Sequence, residues 1–146
     1  MFDVYITKSG KFLPNKAVSN DEMESFLGLI NNSASKARKI ILRKNGIVSR
    51  YYALDENSIP THTNAELTAK AIKNLFEKNP AEIKSVELLS CGTSSPDQIM
   101  PSHSIMVHGH LPETGPIEVI SPAGNCCAGM HALKYAFLSI KAGGVS

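Results

Sequence analysis

Two adjacent cysteines, Cys126 and Cys127, lie between Gly124 and Gly129 in the run GNCCAG, where a long apolar segment begins. A cysteine in the first turn of a helix sits near the positive end of the helix dipole and near backbone N–H groups that lack intrahelical partners. Both favour thiolate over thiol. Ala128 and Gly129 add little bulk beside it, so a carbonyl carbon can approach, and nearby N–H groups suit the oxyanion formed on attack. This is the chemistry of acyl transfer. The plainer reading is a small buried cysteine that packs a helix start. It gives way because a strand, a small-residue bend and an acid-free helix converge on this one place. Three cysteines cannot all pair, and neighbours seldom form a disulfide, so Cys91, Cys126 and Cys127 read as reduced thiols. No C-x-x-C spacing supports a structural zinc site.

Two further groupings carry possible chemistry. His108 and His110 form an H-x-H pair within PSHSIMVHGHL, which on a strand would place both rings on one face and could hold a metal. No third ligand or carboxylate pair accompanies them, so ordinary hydrogen-bonded histidines are the preferred reading and no metal is expected. Residues 36–50, KARKIILRKNGIVSR, carry Lys36, Arg38, Lys39, Arg43, Lys44 and Arg50 without an acidic residue. The segment reads either as a solvated loop or edge, or as a landing site for an anionic partner such as a phosphate-bearing cofactor or an acidic carrier protein.

The elements that must position these groups follow from periodicity. VYITKSGKFLP suits a strand closed by a turn at Gly10 and Pro14. SNDEMESFLGLI predicts a helix, with Ser19 and Glu22 at capping-box spacing and Met23, Phe26, Leu27 and Ile30 on one core-facing stripe. A second helix is expected in TNAELTAKAIKNLFEKN, capped by Thr63 or Asn64, with Ala65, Ala69, Ile72, Leu75 and Phe76 on one face. SVELLSCG reads as a short buried strand, PSHSIMVHGHL as helix or strand, and PIEVIS as another short strand. CCAGMHALKYAFLSIKAGG predicts a helix that is apolar on most sides, hence buried, and stopped by Gly143 and Gly144.

Composition limits the classes. The chain has 146 residues, 42% of them hydrophobic and 19% charged, with a net charge of +2. That suits one domain with a core and argues against disorder or wholesale nucleic-acid binding. No run approaches the ~18 apolar residues of a membrane span, and the N-terminus lacks a secretory pattern. A cytoplasmic location and no membrane partner are the expectations.

GNCCAGMHALKYA resembles the nucleophile segment of the β-ketoacyl-[acyl-carrier-protein] synthase III family of the thiolase superfamily, in which a Cys-Ala-Gly triplet opens a buried helix. GTSSPDQIMPSHSIMVHGHL is similar to the stretch of those enzymes that runs from a Thr/Ser-rich turn through Pro-Ser into a helix at the dimer interface. NGIVSRY resembles their Gly-Ile segment, and the opening residues resemble condensing enzymes of aryl-polyene and dialkylresorcinol pathways. The similarity spans nearly the whole chain in order.

The resemblance implies an α/β fold, the N-terminal half of a thiolase-like fold with a mixed sheet and a nucleophile-bearing helix. It implies an acyltransferase in which Cys127 accepts an acyl group from coenzyme A or acyl carrier protein, for condensation with a malonyl-type extender. Met100 takes the position that lines the partner subunit's acyl pocket, in a homodimer. Arg43 or Lys44 falls near the family's arginine at the coenzyme A or pantetheine entrance, although the chain reads RKNGI there. No cofactor is implied beyond the thioester substrate. The tryptophan often found at that entrance is absent, since the chain has none. The family's assisting histidine and asparagine lie in its second half, so residues 1–146 read as an N-terminal thiolase-like domain ending before its last strand and that half, and inactive alone. The competing readings are a non-catalytic module that binds a carrier protein through residues 36–50, and a thiol redox sensor built on Cys126 and Cys127.

Overall fold

The computed structural model describes residues 2–145. They divide into two compact units, Met1–Phe12 with Asn64–Ser146, and Leu13–Thr63.

In the first unit, two short strands, β3 (Leu88–Ser90) and β4 (Glu118–Ile120), pair in parallel with Leu88 opposite Glu118 and Ser90 opposite Ile120. A parallel pair needs a crossover, and the segment between them folds as helix α4 (His103–Gly109). PSHSIMVHGHL is therefore helical, and it buries His103, Ser104 and Val107. Helix α3 (Asn64–Leu75) turns Ala65 and Ala69 into a core shared with Ile83, Leu89, Cys91, Val107 and Leu111, as its apolar spacing predicts. The sequence placed its cap on Thr63 or Asn64. A distant carboxylate also serves the first turn, with the N–H groups of Asn64 and Ala65 donating to Asp97 Oδ1 and Oδ2 at 2.7 and 2.8 Å.

Helix α5 (Ala128–Ala142) ends as expected at Gly143, whose φ of +79° is left-handed, with the Gly144 N–H donating to Ser139 O. Its expected burial is not observed. Only Ala128 and Ala132, one turn apart, are buried, while Met130, Leu133, Phe137 and Leu138 are exposed. Small side chains on one face let the helix approach β3 closely, and among the described residues nothing buries its larger ones.

The expected opening strand is also absent, since residues 2–14 adopt no regular structure. Up to Phe12 the segment is held side chain by side chain. Lys8 pairs with Glu82 and lies over the Phe76 ring, Lys70 lies over Phe12, and Asn74 Nδ2 donates to Lys11 O at 2.9 Å.

In the second unit, β1 (Val18–Ser19) pairs antiparallel with β2 (Ser49–Arg50). The capping box is present: the Ser19 N–H donates to Glu22 Oε2 at 2.9 Å and the Glu22 N–H to Ser19 Oγ at 3.3 Å. The helix it opens, α1 (Met23–Leu27), lasts five residues because Gly28 turns the chain at φ +78°. Phe26 is consequently buried, whereas Leu27 and Ile30, expected in the core, are exposed. Most of the basic segment, Arg38–Asn45, forms a helix, α2, where a loop or edge was expected, and its last residues enter β2. The helix closes at left-handed Gly46, whose N–H donates to Leu42 O.

Candidate active site

Cys127 is the N-terminal cap residue of α5, reached through a tight helical turn, Asn125–Cys127. Its thiol is exposed, as is that of Cys126, whereas Cys91 is buried, and all three are free. Cys127 thus stands at the positive end of the α5 dipole, with its thiol open to solvent. Its own N–H donates to Gly124 O at 2.8 Å, and that of Ala128 to Asn125 O. These two donors are therefore already engaged, in contrast to the free N–H groups expected there.

Two close approaches fix the cysteine's place. A Cβ on Gly92, just beyond β3, would lie 2.1 Å from Ala128 O and 2.7 Å from Gly129 N, so only glycine lets the strand end meet the first turn of α5. The bend before the cysteines is held by His131, whose Nδ1 lies 2.8 Å from Ala123 O. Gly124, at φ +150°, passes so near this ring that a Cβ would lie 2.6 Å from Nδ1. Ser90 Oγ adds a third tie, donating to Ala132 O at 3.0 Å.

Ser104, fully buried at the start of α4, joins the two strand ends. Its Oγ donates to Ile120 O and accepts from the Cys91 N–H at 3.2 Å, and its N–H donates to Ser121 Oγ at 2.8 Å. Burial pushes the Cys91 thiol pKa up, an effect the Ser104 hydroxyl partly offsets. Cys91 is consequently a poor nucleophile.

A cavity of ≈ 280 Å³ opens beside this arrangement, its walls including Cys91, Thr93, Ser102, His103, Ser121 and Asn125. Burial pushes the His103 imidazole pKa down, with Asp97 acting weakly in the other direction. Spacing gave no indication of Gly92, Asp97, His103, Ser104 or His131 as site-building residues, because each acts through a partner remote in the chain or through backbone clearance. The two glycines of GNCCAG were the nearest signal.

Met100 is 79% exposed, just before α4 in the same unit as Cys127, but it does not line this cavity. Arg43 and Lys44 occupy the last turn of α2, in the other unit, and both are exposed. His108 and His110 do not form the strand pair that a metal would require: His108 is helical, with Nε2 2.9 Å from Gly115 O. Among the described residues no three His, Cys, Asp or Glu side chains gather to hold a metal, and no helix is long and apolar enough to cross a membrane.

A parallel strand pair crossed by α4, with a cysteine at the mouth of the following helix, defines a thiolase-like α/β region. The chain is similar, over nearly all its length, to the N-terminal part of β-ketoacyl-[acyl-carrier-protein] synthase III. It is 27% identical over 136 residues to the synthase III 1 of Deinococcus radiodurans, covering 93% of this chain and 36% of that enzyme. The Bordetella petrii synthase III is 30% identical over 138 residues, covering 94% and 40%. The crystal structure of 3-oxoacyl-[acyl-carrier-protein] synthase III from Aquifex aeolicus superposes with a TM-score of 0.72 at 20% identity, covering 94% of this chain and 40% of that one. The chain therefore spans about two fifths of the length of these relatives. No protein-family model matches it.

Proposed function

We propose that this chain supplies the nucleophile of a condensing acyltransferase of the ketoacyl synthase III type, with Cys127 as the residue that becomes acylated. The observation that carries this reading is the exposed thiol at the cap of α5, held there by the Gly92 contact and the His131 clasp. In the transfer, the Cys127 thiolate attacks the carbonyl carbon of an acyl thioester. The new C–S bond forms as the old one breaks, and the pantetheine thiolate leaves and takes up a proton from water. Condensation of the acyl group with a malonyl-type extender would follow in the complete enzyme, in fatty acid or polyketide-like biosynthesis. No cofactor is needed beyond the thioester itself.

The acyl donor in this reading is coenzyme A or acyl carrier protein. Lys36, Lys39, Arg43 and Lys44 on and beside α2 form the basic face that would meet the anionic donor, while Arg38 is already paired with Glu24 at 3.0 Å. The other assignments are a homodimer in which Met100 lines the partner's acyl pocket, and a cytoplasmic location.

Intact-mass and peptide mapping after brief exposure to an acyl-coenzyme A tests the nucleophile. An acyl adduct on Cys127 that disappears in Cys127→Ala is expected, whereas no adduct favours a non-catalytic carrier-binding module. A Cys126–Cys127 oxidation product without acylation favours the redox sensor. Arg43→Glu with Lys44→Glu is expected to slow acylation from carrier protein more than from a small thioester, because it removes steering and leaves the thiol intact. Equal losses would reject the docking role.

A further inference from the structure

The imidazole of His103 is only 4% exposed and forms part of the wall of the cavity beside the α5 entrance. Its two ring nitrogens differ in their partners. Nε2 lies 3.2 Å from Thr68 Oγ1, which also lies 3.0 Å from Asn64 O. Nδ1 presents a lone pair or an N–H according to the tautomer. Nδ1 is buried and has no hydrogen-bond partner. Leaving such a group unsatisfied is costly, and a buried orphan of this kind points to a partner that arrives from outside the chain.

The cavity limits what that partner is. Its walls are apolar in part, at Ile99 and Pro122, and Thr93, Ser102, Ser121 and Asn125 set hydrogen-bonding groups among them, which suits an acyl chain that carries a polar group. Asn125 lies two residues before Cys127 in the same tight turn, so the space adjoins the nucleophile segment. We propose that this cavity receives a short acyl group bearing a hydroxyl, which hydrogen-bonds Nδ1 of His103, making His103 a specificity-determining residue for acyl transfer to Cys127. The inference rests on the acyl-transfer reading above and adds the class of acyl group. An alkyl chain leaves Nδ1 unpaired, whereas a hydroxyl both donates and accepts and so pairs with it in either tautomer. The expected preference is hydroxyacyl over alkyl, and a ketoacyl group pairs only when Nδ1 carries the proton.

The probes are the 3-hydroxybutyryl, butyryl and 3-oxobutyryl thioesters of N-acetylcysteamine, applied to the full chain. Mass spectrometry is expected to show Cys127 acylated about three- to tenfold faster by the hydroxyacyl probe than by the butyryl probe, the worth of one net hydrogen bond. His103→Leu is expected to abolish that ratio. Because this variant also removes the Thr68 partner and could disturb folding, the native ring is followed separately. In Cys127→Ala, which binds without turnover, the ¹⁵N resonance of His103 Nδ1 is expected to move on titration with the hydroxyacyl probe and to stay in place with butyryl. Equal acylation rates with an unmoved Nδ1 resonance overturn the hydroxyl assignment and leave Cys127 as nucleophile. An Nδ1 resonance already typical of a hydrogen-bonded nitrogen in the free chain, and unchanged by probe, also overturns it. Failure of every probe to acylate Cys127 counts against the acyl-transfer reading itself, and the Nδ1 titration then still decides whether the cavity takes a hydroxyacyl group.

Discussion

The three thiols differ in surroundings, and those differences predict their chemistry. Cys127 caps α5 and directly precedes the small pair Ala128-Gly129, Cys126 is exposed one residue earlier, and Cys91 is buried with its thiol pKa raised. Iodoacetamide is expected to label Cys127 first, Cys126 more slowly, and Cys91 only on unfolding. Peptide mapping of a time course checks the order, and faster labelling of Cys126 would shift the nucleophile by one position. His103 makes a second prediction. Because burial lowers its pKa from the ordinary 6.5, the unfolded chain binds a proton that the folded chain resists. The stability from this group is fully present above pH 6.5 and is lost as pH falls through the lower folded value. Urea midpoints at pH 7.5 and pH 5 should diverge less in His103→Gln than in the native chain. The cysteine was legible in the sequence because its signal is local, a thiol between small residues at a helix start. His103 was not, because its meaning depends on Thr68 and Asp97, far away in the chain.

The elements around the site were legible where a periodic pattern settled them, as in α3, α5 and β3, and illegible where a single contact overrode the pattern. The helix called for by SNDEMESFLGLI stops after one turn and a half at Gly28, and the expected strand at the N-terminus is replaced by separate ties to Glu82, Phe76 and Asn74. The same long-range logic predicts where the site is most sensitive. Asp97→Ala removes a carboxylate that serves two N–H groups at the start of α3 and is expected to cost about 0.5–2 kcal/mol. Gly92→Ala forces a Cβ to within 2.1 Å of Ala128 O. Backbone must move to relieve that contact, and the expected loss is about 1–3 kcal/mol or more. Denaturant titration measures both. Gly92→Ala should also slow Cys127 alkylation, since it displaces the first turn of α5, whereas Asp97→Ala should leave alkylation nearly unchanged.

At the scale of the whole chain, the pattern that most misled the sequence reading concerns α5. A helix apolar on most sides reads as buried, yet here only the alanine face is covered. Met130, Leu133 and Phe137, together with Tyr5 and Ile6 of the N-terminal segment, line an open apolar groove of ≈ 460 Å³. Exposed apolar surface of this continuity drives association. Residues 1–146 are therefore expected to self-associate in solution, with apparent mass rising with concentration in light scattering. A smaller exposed pair, Ile99 and Met100, offers a second surface, and the two are separable by charge. Leu133→Glu with Phe137→Lys interrupts the groove and leaves Ala128 and Ala132 packed on β3, so it is expected to yield a monomer with Cys127 still reactive toward iodoacetamide. Met100→Glu alone is expected to reduce association only slightly, because five exposed large side chains line the groove against two at the other surface. If Met100→Glu alone gives a monomer while the double variant still associates, the contact runs through the segment before α4, and the exposed face of α5 has no part in it.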